Sequence, residues 1–120
     1  MAPYEKLVAW RECHQLALAL YGATKSFPAD EGYGLTSQIR RAAFSAAANI
    51  VEGSSRRTAR EVRRFLDIAL GSLTEVGYAL RFPHEVDLLP QTEWSPRNDR
   101  QSRARFLTWR WYQAIKKRCV

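Results

Sequence analysis

Five arginines crowd nine residues of this chain: Arg56, Arg57, Arg60, Arg63 and Arg64. A guanidinium group grips phosphate or carboxylate as a planar fork, so anion binding is the chemistry such a run can perform. On a helix, Arg60, Arg63 and Arg64 share the side opposite Leu66, Leu73 and Leu80, with Asp67 the nearby acid. A helix start at this point adds unpaired N–H groups and the positive end of the helix dipole, which favour the same ligand. Arginines spread in this way track a phosphate backbone and offer no code for reading bases. The patch has no aromatic stacking platform, which argues against sequence-specific recognition of single strands. The competing reading is a solvated helix face.

Other reactive residues do not assemble. Cys13 and His14 are adjacent, and adjacent helical residues point about 100° apart. Cys13 reads as core and His14 as a boundary residue. His84, Glu85 and Asp87 read as a solvated loop after Pro83, with no recognised metal-ligand spacing. A phosphate-binding glycine loop and a nucleophile elbow are both missing. An enzyme is the poorest-supported class, and neither a cofactor nor a metal is expected.

The charge is uneven along the chain. Of 19 basic residues most are arginine, and the formal net charge is +7. Residues 40–64 hold seven bases against two acids, and residues 97–120 eight against one. Residues 65–96 are net acidic. Such blocks suggest an anionic partner. With two cysteines, no signal-peptide pattern and no apolar run of spanning length, a reduced cytoplasmic protein away from membranes is the default reading.

The elements that must carry these residues are helical. A first helix over about 4–26 carries Trp10, Cys13, Ala17, Leu20 and Thr24 on one stripe, with Leu7, Leu16, Leu18 and Tyr21 beside it, and stops at Phe27-Pro28. A second, over 36–54, ends at a glycine stop, Gly53-Ser54-Ser55. The third, over 58–82, opens on Thr58 as N-cap with Glu61 three residues on, and Pro83 ends it. Its seam is Val62, Leu66, Ala69, Leu73, Val76 and Leu80, a spacing that suits left-handed bundle packing. FPHEVDLLPQTEWSPRND then reads as an irregular connection, before a fourth helix over 97–118 through Ala104, Leu107, Trp111, Ile115 and Cys119. The basic run from Arg97 to Arg118 lies on it, and Trp109, Trp111 and Tyr112 read as packing residues. The expected fold is a single all-α domain over 1–120, an antiparallel four-helix bundle.

The second helix has more apolar faces than a lone bundle needs. Ile39, Ala43, Ala46 and Ile50 form one, and Phe44, Ala47 and Val51 another. The third helix repeats the pattern with Phe65, Ile68, Ser72, Glu75, Ala79 and Phe82, where Gly71 and the alanines permit close approach. Self-association through Phe44, Val51, Phe65 and Ile68 follows, the alternative being a tight monomer covered by its own fourth helix. A polar row of Gln38, Arg41, Ser45, Asn49 and Glu52 runs along the second helix and, together with Ser72 and Glu75, reads as either a satisfied network or the lining of a catalytic cleft. Arg41 and Glu52 stand too far apart to pair, so partners on a neighbouring helix are required.

Three motifs, GLTSQIRRA, NIVEGSSR and FLDIALGSLTE, in this order and spacing, resemble the small four-helix-bundle family encoded in intervening sequences of bacterial 23S rRNA genes. That family includes the accessory protein of diversity-generating retroelements. The likeness covers about Tyr4 to Leu80. It implies a non-enzymatic homopentamer; in the retroelement branch the barrel is basic, binds nucleic acid and associates with a reverse transcriptase. Gln38, Arg41, Asn49, Glu52 and Gly53, with Gly71, Ser72 and Glu75, match the family's scaffold signature. After Leu80 the chain departs from the family's leucine-rich fourth helix, being rich in Arg, Trp and Pro. A shifted reading frame of GC-rich DNA is one origin for that change, and translating the other frames of the gene tests it.

Overall fold

The computed structural model describes residues 1–119. Four helices carry the chain: α1 over Val8–Ala23, α2 over Leu35–Ser54, α3 over Ala59–Glu85 and α4 over Gln91–Lys116. Short 3₁₀ turns at Pro3–Lys6, Thr24–Ser26 and Ala29–Glu31 complete the order, and no strand occurs among the described residues. Each helix packs on its neighbours in sequence, and α1 closes against α4. The result is a rod of 47 × 22 × 22 Å.

The core follows the apolar periodicity. Cys13, Leu16 and Leu20 of α1, Ile39, Ala43, Ala46 and Ile50 of α2, and the whole expected seam of α3 are buried. Ala47, assigned from sequence to an outer face, is also covered by its own chain. Alanines on α2 keep its axis close to its neighbours, because a short side chain sets a short interhelical distance.

The first expected helix is divided. Leu7 sits in extended backbone (φ −81°, ψ 124°) between the opening 3₁₀ turn and α1. That break lets Tyr4 fold back edge-on to Trp10, with ring centroids 4.9 Å apart. At the far end the Thr24 hydroxyl donates back to the Leu20 carbonyl at 2.8 Å, and the chain leaves through Phe27-Pro28.

Gly53 is not a stop. It lies inside α2 with no left-handed φ, and the helix closes on Ser54 and Ser55, whose hydroxyls each donate to a last-turn carbonyl at 2.7 Å. The α3 start matches expectation: the Thr58 hydroxyl accepts the Glu61 N–H at 3.2 Å.

Pro83 does not end α3, which continues to Glu85. Proline has no N–H to donate to the Ala79 carbonyl one turn back, so it forfeits one hydrogen bond, and the loss is offset elsewhere. Its ring is buried, and its carbonyl accepts the Leu88 and Leu89 N–H groups at 2.8 and 3.1 Å. Asp87, at φ 64°, reverses the chain, and the Pro90 carbonyl accepts Glu93 and Trp94 to open α4. The expected irregular connection is therefore helical except at residues 86–90, and α4 begins ahead of residue 97.

Helix α4 buries polar groups as well as Ala104 and Ile115. The Gln101 amide donates to the Leu73 carbonyl at 2.9 Å, fitting against Gly77, where a methyl group would meet that amide nitrogen at 3.0 Å. Thr108 donates to Ala104 at 2.8 Å and lies 3.7 Å from the Cys13 sulfur. Glu12 of α1 takes Arg103 at 2.6 Å and Arg100 at 4.0 Å, so part of the C-terminal basic run is used in holding α1 to α4.

Candidate nucleic-acid interface

The turn between α2 and α3 sets Arg56 and Arg57 just ahead of the Thr58 cap, and Arg60, Arg63 and Arg64 on the first two turns of α3. An aromatic ring lies half-buried beneath this patch, covered by arginine rather than open to a base. The Arg56 guanidinium lies 4.6 Å over the Phe65 ring and Arg64 lies 5.7 Å from it. Arg56 also reaches Glu52 at 3.5 Å. Arg63 turns toward the end of α4, where hydrogen bonding by the Tyr112 hydroxyl first and the Cys119 thiol second holds its guanidinium above the ordinary arginine range. Arg60, Arg63 and Arg64 border a surface depression of about 300 Å³ with Asp67 and Ile68. The five arginines thus converge on one end of the bundle, with Phe65 as a common support for two of them.

The polar row separates into two groups. Arg41 hydrogen-bonds Gln38 on its own helix and lies 3.9 Å from Glu75 on α3. With side chains 65% and 47% exposed, that ion pair contributes little to stability. Deeper, the Ser45 and Ser72 hydroxyls meet at 2.9 Å, and the Asn49 amide donates to the Ser45 carbonyl at 2.8 Å and hydroxyl at 3.1 Å. Glu52 takes Arg56 rather than a partner on a neighbouring helix.

The apolar candidates also fall in two places. Phe44 is 70% exposed and, with half-buried Val51, lines a groove of about 800 Å³ between α1 and α2. Trp10, Leu18 and Tyr21 form the opposite wall of that groove. Phe65 is half-buried under the arginines, and Ile68 is exposed beside them. Gly71 faces open space, so within one chain it brings no helices together.

Sequence reasoning missed Arg40. Its Nε donates to the Thr24 hydroxyl at 2.8 Å, a terminal nitrogen donates to the Tyr21 carbonyl at 3.2 Å, and the guanidinium lies 3.8 Å over the Tyr21 ring. It pins α2 to α1. Trp109, read as a packing residue, is instead exposed beside Phe106, whereas Trp111 and Tyr112 do pack partly against the core. His84 is not in a solvated loop: it stacks on Trp94 at 4.6 Å, and its Nδ1 lies 2.9 Å from the Leu89 carbonyl. His14 stacks on Trp10 at 4.7 Å. No three His, Cys, Asp or Glu side chains gather as a metal site among the described residues. No helix among them is long and apolar enough to cross a membrane.

Fold and surface together define a four-helix bundle with a basic end. The chain belongs to the 23S rRNA-intervening sequence protein family, whose model matches residues 5–107 and so extends past Leu80 into α4. Among solved structures it is similar to a protein of unknown function from the S23 ribosomal protein family of Bacteroides thetaiotaomicron. The TM-score is 0.76 at 19% identity, covering 84% of this chain and 94% of the other. At that identity the likeness establishes the fold alone. No curated protein matches the chain.

Proposed function

We propose that this protein is a non-enzymatic, cytoplasmic homo-oligomer of antiparallel bundles that binds the backbone of RNA or DNA through Arg56, Arg57, Arg60, Arg63 and Arg64. The observation that carries the reading is the convergence of these arginines at the α2–α3 turn, at the start of a capped helix. The contact of Ser45 with Ser72 and of Gly53 with Phe65, in which α2 numbers rise as α3 numbers fall, supports the antiparallel order. Exposed Phe44 over an apolar groove supports association between copies, a pentamer by family resemblance. Repetition of a modest basic patch around one particle raises the affinity for a long polyanion through avidity. In this reading the protein serves a reverse transcriptase as an accessory nucleic-acid binder. A reverse-transcriptase gene beside this one, rather than a ribosomal RNA operon around it, is the genomic context that reading expects.

A second reading, a protein–protein interaction module with no nucleic-acid role, is favoured by the α1–α2 groove, whose walls are mostly apolar. Titration of duplex DNA and structured RNA over a salt series separates the two. The first reading expects affinity to fall steeply with salt. Changing the five arginines to Ala should reduce that slope by about 0.9 for every phosphate they no longer neutralise. Binding that ignores salt, or no binding at low salt, leaves the module.

A further inference from the structure

The face formed by α3 and α4 carries four exposed aromatic side chains. Tyr78 is 67%, Phe82 43%, Phe106 52% and Trp109 42% exposed. Two exposed aromatic pairs on one face suit a contact surface, and the surrounding chemistry indicates what it contacts. Two depressions, of about 290 and 350 Å³, share Gln101 and Arg105 in their walls and so adjoin along the α3–α4 groove. Phe106 and Trp109 wall one end, their ring centroids 6.5 Å apart. Tyr78 and Arg81 wall the other, with Phe82 6.4 Å from Tyr78.

Between the aromatic ends lies Arg105, whose Nε donates to the Thr74 hydroxyl at 3.2 Å. That bond fixes the guanidinium while using only its Nε donor. Arg81 is paired with Glu85 at 2.6 Å, so among the lining residues Arg105 supplies the positive charge. None of the residues lining either depression is acidic. The Gln101 amide, held by Leu73, closes the floor.

We infer that this α3–α4 groove binds unpaired nucleotides of a nucleic-acid strand, with Phe106, Trp109 and Tyr78 stacking bases and Arg105 neutralising phosphate. The ligand must be anionic and carry flat rings, because the groove offers π-faces and guanidinium groups without a carboxylate. A duplex keeps its base faces covered and cannot use the aromatic walls. The inference rests on the proposed nucleic-acid role but concerns a different set of side chains from the α2–α3 turn: Tyr78 lies several helical turns away along α3, and Trp109 lies one turn of α4 before Tyr112, the partner of Arg63.

The test uses the full chain and three fluorescent probes of equal length: an oligothymidylate, the same backbone without bases, and a DNA duplex. The groove predicts that the base-bearing strand binds about tenfold more tightly than the base-free one. It predicts that only the base-bearing strand quenches tryptophan emission, and that Trp109→Leu removes the quench. The pair Phe106→Leu and Trp109→Leu should erase the base-dependent gap and leave duplex affinity unchanged. Tyr78→Ala narrows the gap from the other end of the groove. Changing Arg57 and Arg60 to Ala lowers duplex binding and leaves the gap intact, so failure at either site is recognised separately. Equal affinity for strands with and without bases overturns the inference on the wild-type protein alone. A paired variant that changes the assembly mass without closing the gap also overturns it, assigning the aromatic face to contact between copies.

Discussion

Gly53 of α2 lies directly against Phe65 of α3: a methyl group added to Gly53 would stand 3.0 Å from the Phe65 Cβ and 3.7 Å from the Val62 carbonyl oxygen. These neighbours are backbone and the root of a side chain, so neither can swing aside. Gly53→Ala should therefore push α3 outward and disturb the ring that supports Arg56 and Arg64. Alanine is the better helix former by about 1 kcal/mol, but overpacking a tight helix contact costs about 1–3 kcal/mol, so a net loss is expected. A lowered urea midpoint with an unchanged slope is the expected observation; a raised midpoint contradicts the close contact.

Asp87 holds the turn between α3 and α4 in the left-handed region, at φ 64°. Aspartate tolerates that conformation better than most residues, whereas a β-branched side chain does not. Asp87→Val should lower stability by about 1–2 kcal/mol, and Asp87→Gly should be tolerated, by the same denaturation measurement.

How far the fold is legible in the sequence depends on what each helix buries. Helix α3 is readable because Val62 to Leu80 are apolar at bundle spacing and all reach the core. Helix α4 is readable only in part: the stripe through Ala104, Leu107, Trp111 and Ile115 shows it, but its buried side also includes Gln101 and Thr108, acceptable only through bonds to Leu73 on α3 and contact with Cys13 on α1. Those partners are remote in sequence. Pro83 misled for a related reason: burial of its ring and two N–H groups arriving at its carbonyl outweigh the local rule. At the candidate interface the arginine run is visible as composition. Its engagement with Phe65 and Tyr112 is not, because it depends on how α2 and α4 close over α3.

Cys13 gives stability a pH dependence with a defined sign. Burial first, opposed by the Thr108 hydrogen bond and assisted by Glu12, pushes its thiol from 9.0 up to about 11. The unfolded chain therefore ionises first as pH rises. The stabilisation is complete below about pH 9 and is lost as pH climbs toward about 11, a loss of about 1 kcal/mol by pH 10. Denaturation of the wild type and Cys13→Ala at about pH 8 and about pH 10 should show that extra loss only in the wild type. Parallel behaviour in both would mean that Cys13 is not the group responsible.

The proposed gathering of arginines into a shared surface requires copies of the bundle to meet, and Phe44, 70% exposed over the α1–α2 groove, is the helix side chain whose cover the proposal rests on. Light scattering across a concentration series measures this directly. The expected mass is a multiple of 13.8 kDa for the wild type, fivefold if the family resemblance holds, collapsing toward a single chain in Phe44→Glu. A wild-type mass of 13.8 kDa at every concentration would contradict the account.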